Sequence, residues 1–210
     1  SATVHAVDVS PEALQLAAEI SYEQLQLMTG PHFGIDWIDS YSLSNVEQRP
    51  RESGGGGASL LPASLRTGRD VFGPGEHPFP SKYAFRSTGI RIQPTILLEA
   101  LTRDVVLFGG RIVVRTFDTP RDLMSLKEPI IVNCTGLGSR ELFNDQELIP
   151  VKGQLTVLIP QPEINYRTAG GIPDVGGQTA AQRGVGIHMM PRSDGIILGG
   201  TSERGVSTLE

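Results

Sequence analysis

The 210-residue sequence is poor in cysteine, histidine and aromatic residues: one cysteine (Cys134), four histidines, and Phe, Trp and Tyr together at 6%. One cysteine makes neither an internal disulfide nor a multi-thiolate metal centre, so the fold requires no oxidising compartment and excludes none. His5, His32, His77 and His188 show no ligand spacing such as HxxxH, which leaves no sequence case for a metal site. No apolar run approaches the roughly 18 residues of a membrane span, and the basic-then-apolar opening of a signal peptide is missing. Eighteen basic and 23 acidic residues give a net charge of −5 with no long block of either sign, which argues against a nucleic-acid partner or a polybasic membrane surface. No GxGxxG occurs, so the usual pyrophosphate-binding turn is not among these residues. No internal repeat is evident.

What the sequence does have is turn chemistry. Twenty-five glycines and 15 prolines fill 40 of 210 positions, against an average of about 12%. With 39% hydrophobic residues the chain can still build a core, and its length fits one large domain or two small ones.

Ser10-Pro11-Glu12 is a good helix start, and Leu14, Ala17, Ala18, Ser21, Leu25 and Met28 follow helical spacing up to Gly30-Pro31. The spacing predicts a helix over 10–28, preceded by a short extended lead-in at Thr3–Val9. Residues 33–43 are rich in Ile, Trp, Tyr and Phe and alternate as an antiparallel strand does. Gly54–Gly57, beside Arg49 and Arg51, read as a flexible loop rather than a phosphate cradle, because no strand-turn-helix surrounds them. Residues 62–82 are broken by Pro62, Pro74, Pro78 and Pro80 and read as a long irregular connection of the kind that often serves function. Ser87–Ile92 is a strand candidate, and Pro94 opens a Leu-rich helix that Gly109-Gly110 ends. Arg111–Arg115 is expected as a strand, and Ile130–Asn133 as one buried on both faces of a parallel sheet. Residues 153–159 and 184–200 look antiparallel, with Ser193-Asp194-Gly195 as a hairpin turn.

The strongest local signal for chemistry is Ile130 to Ser139, where an apolar strand runs into Asn133-Cys134-Thr135-Gly136. Ligands of open α/β sheets bind at such strand ends, glycine admits close backbone approach, and Thr135 supplies a hydroxyl; a tight strand-to-helix turn without a ligand explains the pattern equally well. Cys134 reads as a small buried hydrophobe rather than a nucleophile, since no base lies near it in sequence. His188, beside Met189 and Met190 on an apolar strand, faces either the core or a cavity.

Taken together, several blocks resemble the FAD-dependent D-amino acid oxidase (DAO) family, which also contains D-aspartate, glycine and sarcosine oxidases. They are Ile92-Gln93-Pro94 before the Leu-rich helix, Gly109-Gly110 before the expected strand, Ile131 to Gly138, Leu148 to Leu155 with its Pro150-Val151-Lys152-Gly153-Gln154 core, and Met190 to Thr201. The likeness covers roughly 35–210 and is dense over 92–159 and 185–203.

The resemblance implies an α/β (α+β) fold: a mixed, largely antiparallel substrate-domain sheet with helices, plus a returning α/β segment of an FAD-binding domain. It divides the chain into 1–93 and 148–210, two parts of the substrate domain, and 94–147, the returning FAD segment. By the same analogy Asn133, Cys134, Thr135, Gly136, Gly153 and Gln154 contact the cofactor FAD, while His188 and Met190 contact substrate. No catalytic residue and no metal ligand is singled out. The implied reaction oxidises an amine or amino acid to an imine, by hydride transfer to flavin, and the imine hydrolyses to a 2-oxo acid and ammonia. Family members hold the substrate carboxylate with an Arg and a Tyr hydroxyl. The Arg falls beyond Glu210, and at the Tyr-Ile-x-Pro element this chain has His188-Met189-Met190-Pro191. With neither GxGxxG nor the Gly-rich C-terminal segment, the chain is expected to be the middle of a longer enzyme, inactive alone and prone to self-association through exposed apolar surface. A cytoplasmic or peroxisomal location fits. The competing readings are a dehydrogenase of the same family and a non-catalytic binding module that kept the fold.

Overall fold

The computed structural model describes residues 11–47, 67–170 and 185–208. The lead-in at Thr3–Val9, His5 and the Gly54–Gly57 loop lie outside the described residues. Among the described residues three α-helices are present, α1 (Pro11–Leu27), α2 (Pro94–Leu107) and the short α3 (Gly138–Phe143), with a 3-10 turn at Asp122–Ser125. The strands are β1 (Ile35–Ser44), β2 (Asp70–Phe72), β3 (Tyr83–Ile92), β4 (Val151–Lys152), β5 (Leu155–Leu158), β6 (Tyr166–Gly170), β7 (Val185–Arg192), β8 (Gly195–Thr201) and β9 (Glu203–Arg204). Among the described residues no helix is long and apolar enough to cross a membrane.

Seven strands form one sheet in the order β2-β3-β1-β6-β7-β8-β5, and β4 pairs with β9 in a small second sheet. Among the described residues the β1–β6 pair is the one parallel pair; the others in the main sheet are antiparallel. The sheet is therefore mixed and largely antiparallel, flanked by helices, and the fold is α/β as the sequence suggests. The β1–β3 ladder runs unbroken from Ile35↔Ile92 to Ser44↔Tyr83. Its side chains Ile35, Ile38, Ala84 and Phe85 make half of the buried apolar core among the described residues, and Ile196 and Ile197 of β8, with Ala100 and Leu142 of the helices, complete it. Gly34, at φ +62°, turns the chain into β1 where a Cβ would lie 2.7 Å from Cβ of Ile96, so a bare backbone lets α2 approach.

Two polar ties join the distant halves of this sheet. The Arg91 guanidinium donates to both carboxylate oxygens of Asp36 and, at 3.1 Å, to the carbonyl of Pro191. Gln93, just before α2, accepts with its Oε1 from the Ser193 backbone N–H (3.0 Å) and hydroxyl (3.2 Å). The β7–β8 turn, 100 residues away in sequence, is thereby locked to the start of α2. The sequence places that hairpin correctly, and α2 starts at Pro94 as expected.

Two expectations fail. Arg111–Arg115 and Ile130–Asn133 are not strands, and Val114 is 99% and Ile130 80% exposed. A strand exists only through a ladder partner, and these two segments do not supply one another. A cavity of about 500 Å³ lies between them, lined by Arg111, Val113, Arg115 and Phe117 on one side and Leu126, Ile130 and Ile131 on the other. Instead of a ladder, Arg115 donates to the Ser125 hydroxyl across the gap at 2.6 Å. The irregular reading of 62–82 holds over its described part except that Asp70–Phe72 pairs with β3 as an edge strand.

Candidate functional site

The sheet register decides which residues can act together, because residues opposite one another in a ladder share a face and alternate residues along a strand do too. Ser42 lies opposite Ala169, Ala169 opposite His188, His188 opposite Gly199, and Gly199 opposite Leu155. These five residues form one row across β1, β6, β7, β8 and β5. Met190 follows two residues after His188 on the same face. A Cβ at Gly199 would lie 2.7 Å from His188 Cε1 and would overlap the Leu155 side chain, so glycine is what allows His188 and Leu155 to close over β8.

Arg167 belongs to this face as well. It lies opposite Ser40 in the parallel β1–β6 pair, and its Nε donates to the Ser40 hydroxyl at 2.6 Å. Ser40 is buried while Arg167 is exposed, so one edge of the guanidinium is anchored, and among the described residues its other donors have no hydrogen-bond partner. His188 and Arg167 therefore share one sheet face. The sequence reading finds His188 and Met190 and misses Arg167, whose only signal was the alternation of Tyr166-Arg167-Thr168 after Pro160 and Pro162.

Gly153 and Gln154 sit between β4 and β5 and are carried to the same edge. The Gln154 backbone N–H donates to the Thr201 hydroxyl (3.1 Å), and its carbonyl accepts from the Thr201 backbone N–H (3.4 Å). Gln154 also immediately precedes Leu155 in the row that contains His188. Gly153 and Gln154 thus lie at the start of β5, one strand removed from His188 across β8.

The Asn133-Thr135 turn is a separate hydroxyl and amide cluster. Asn133 Oδ1 accepts from the Thr135 backbone N–H (3.1 Å) and hydroxyl (2.8 Å), and its Nδ2 donates to Ser139 Oγ (2.9 Å). The Thr135 and Ser139 hydroxyls are also 2.7 Å apart. Gly136 turns the chain at φ +56° with nothing within 4 Å of where a Cβ would point, leaving the backbone open to a ligand. The cluster is exposed, and so is Cys134, contrary to the buried thiol expected from its apolar approach. The reason is the same as for Ile130–Val132: without a ladder on either side, no described residue covers the turn.

The cavity beside it suits a polyanion. Arg111, Arg115 and Lys127 line it against one carboxylate, Glu128, and Ile130 and Ile131 lead from it directly into Asn133. The 115–125 turn at its rim is held by Asp122, whose carboxylate accepts from the backbone N–H groups of Thr119 (2.8 Å) and Asp118 (3.0 Å). Those hydrogen bonds hold the Asp122 carboxyl below its ordinary pKa. Among the described residues no group of three or more metal-ligating side chains is present.

Comparison with known proteins agrees with this architecture. The family model described as FAD dependent oxidoreductase (DAO) matches residues 3–209. A D-amino acid oxidase of Dugesia ryukyuensis is 32% identical over 127 residues, 59% of this chain and 33% of the relative. A D-amino-acid oxidase of Streptomyces coelicolor is 38% identical over 82 residues, 39% of this chain and 23% of the relative. A human D-aspartate oxidase is 35% identical over 77 residues, covering 36% of this chain and 18% of the relative. The matched stretch thus spans a third or less of each of these relatives.

Proposed function

Since the chain belongs to the FAD-dependent oxidoreductase (DAO) family, we propose that it forms the substrate-binding face and part of the cofactor site of an oxidase acting on a carboxylate-bearing amine, an amino acid in the simplest case. The observation that carries this reading is the placement of His188 and Arg167 on one sheet face with Met190 and Leu155 beside them. An amino acid needs cationic or N–H donors for its carboxylate and an apolar wall to exclude water around the carbon that is oxidised. Arg167 offers a planar fork of donors, which matches a carboxylate geometrically, and its anchor on Ser40 reduces the rotamer freedom lost on binding. His188 takes the position at which family members carry a Tyr hydroxyl, and an imidazole N–H donates to the same oxygen.

The residues of the second region fit the cofactor. Arg111, Arg115 and Lys127 would face the phosphates of FAD, Asn133 and Thr135 would hydrogen-bond its polar groups, the bare backbone at Gly136 would admit its close approach, and Gly153 and Gln154 would meet it from the start of β5. When bound, the flavin supplies the hydride acceptor. Everything else asked of this chain is orientation: holding the carboxylate so that the amine-bearing carbon faces the cofactor.

The test uses the longest polypeptide that carries this sequence. FAD is titrated in, and peroxide and dye reduction are followed with D-alanine, D-aspartate and the corresponding decarboxylated amines. We expect saturable flavin binding, and turnover of the amino acids well above that of the amines. Arg167→Ala should lower kcat/KM for amino acids by about tenfold or more, in line with loss of a charge-assisted hydrogen bond. No flavin binding, or equal turnover of amines and amino acids before and after Arg167→Ala, would overturn the reading.

A further inference from the structure

The face of the sheet opposite His188 carries a second, unassigned cavity. Tyr41 lies opposite Thr168, and Tyr166 opposite Asp39, so both rings project from the side that His188 and Arg167 do not occupy. The irregular connection after β2 lays Phe79 onto them. The Tyr41 ring centre is 4.9 Å from that of Phe79 at 52° and 5.7 Å from that of Tyr166 at 85°, and Phe79 and Tyr166 are 5.8 Å apart at 68°. Rings inclined in this way do not close flat on each other, and a cavity of about 160 Å³ remains, bordered also by Glu76 and His77. A void of about 150 Å³ is enough for a molecule the size of benzene.

Two polar groups set the chemistry of the occupant. His77 Nδ1 accepts the Phe79 backbone N–H at 3.3 Å, which leaves the imidazole proton on Nε2. That Nε2 is buried and has no hydrogen-bond partner among the described residues, an arrangement native proteins seldom leave unexplained. Glu76 is fixed at the rim because its Oε2 accepts the Gly73 backbone N–H at 2.6 Å. Behind the rings, Asp70 pairs with Arg86 at 2.6 Å and Asp39 stands 3.8 Å from the same guanidinium. Of these carboxylates only Glu76 borders the cavity; behind the rings Asp39 and Asp70 outnumber Arg86, which lies over the Phe72 ring, and the aromatic faces lining the cavity add negative potential of their own. An anion is disfavoured, and a neutral apolar molecule would leave both Glu76 and the His77 N–H unused.

We propose that this cavity binds a small organic ammonium ion carrying one oxygen acceptor, with the cationic head against Tyr41, Phe79, Tyr166 and Glu76 and the oxygen accepting from His77 Nε2–H. The site is separate from the substrate face and does not depend on flavin. Choline is the probe, titrated into the full chain and followed by calorimetry and by the ring resonances of His77 and Tyr166. Its uncharged carbon isostere, dimethylbutanol, and tetramethylammonium, which lacks the oxygen, are the controls. Choline should bind saturably, dimethylbutanol at least about tenfold more weakly, and tetramethylammonium a few-fold more weakly. Glu76→Gln, which keeps an acceptor for Gly73, should weaken choline by about tenfold and leave dimethylbutanol unchanged. Dimethylbutanol binding as tightly as choline would show a merely apolar void and overturn the proposal. So would the absence of saturable choline binding, or shifts that cluster around His188 instead of His77.

Discussion

The β1–β3 ladder and the segment 111–132 have similar shares of β-branched and aromatic residues, yet they end in opposite environments. Ile35, Ile38, Ala84 and Phe85 are buried, whereas Ile112, Val113, Val114, Ile130 and Val132 are all more than 60% exposed. Propensity is the same on both sides of this comparison; the supply of ladder partners differs. β1 is flanked by β3 on one side and β6 on the other, while a cavity lies between 111–117 and 125–131. An apolar run is thus a request for a sheet, and the tertiary arrangement grants it or does not.

The sharpest way to break the comparison is to truncate one side chain in each region. Phe85→Ala should destabilise the chain by about 3–5 kcal/mol in urea unfolding, because it opens a cavity in the best-packed part of the sheet. Val114→Ala should change stability by no more than about 0.5 kcal/mol. Equal effects would mean that 111–132 is buried in solution after all. A smaller loss is expected from Arg91→Met, which keeps the stem but removes the donors to Asp36 and Pro191; about 1.5–3 kcal/mol follows for hydrogen bonds to charged groups. Since the tie joins the two halves of the sheet, hydrogen exchange of β7 and β8 should quicken in this variant.

The exposed region has its own signature. Phe108→Ser combined with Val114→Ser should reduce self-association in sedimentation velocity while shifting the unfolding midpoint little, because both side chains are over 90% exposed. Unchanged association would place the sticky surface elsewhere. The smallest effect concerns the turn at Asp122, whose folded pKa is lowered by the Thr119 and Asp118 N–H groups. A lowered folded pKa means that the contribution of this group is complete above the unfolded value, about 3.9, and is lost as pH falls through the folded one. The amide resonances of Asp118 and Thr119 should therefore titrate below the ordinary aspartate range, and Asp122→Asn should abolish that titration. A midpoint at or above the ordinary value would contradict the hydrogen-bond assignment.

Part of the site was legible early because its signals are local. Ser193-Asp194-Gly195 marks a turn through its own backbone chemistry, and Pro94 and Gly109 bracket a helix wherever they stand. His188 and Met190, two apart on a strand, share a face by alternation alone. Arg167 was not legible, since its role rests on a parallel pairing with Ser40 that is 127 residues distant. Cys134 was misplaced for the same reason that Ile130–Asn133 was: burial was inferred from composition, without knowing what would cover it.

By itself, then, the sequence settled the positions of α1 and α2 and the β7–β8 hairpin, because periodicity, capping residues and turn residues act within a few positions, while its motif blocks carried the family resemblance. Only the tertiary structure decided which face His188 shares with Arg167, that Tyr41, Phe79 and Tyr166 enclose a cavity on the other, and that the apolar runs at 111 and 130 go unpaired. Those outcomes depend on strand register and on which neighbour fills a ladder, and both are set by contacts between residues tens to more than a hundred positions apart.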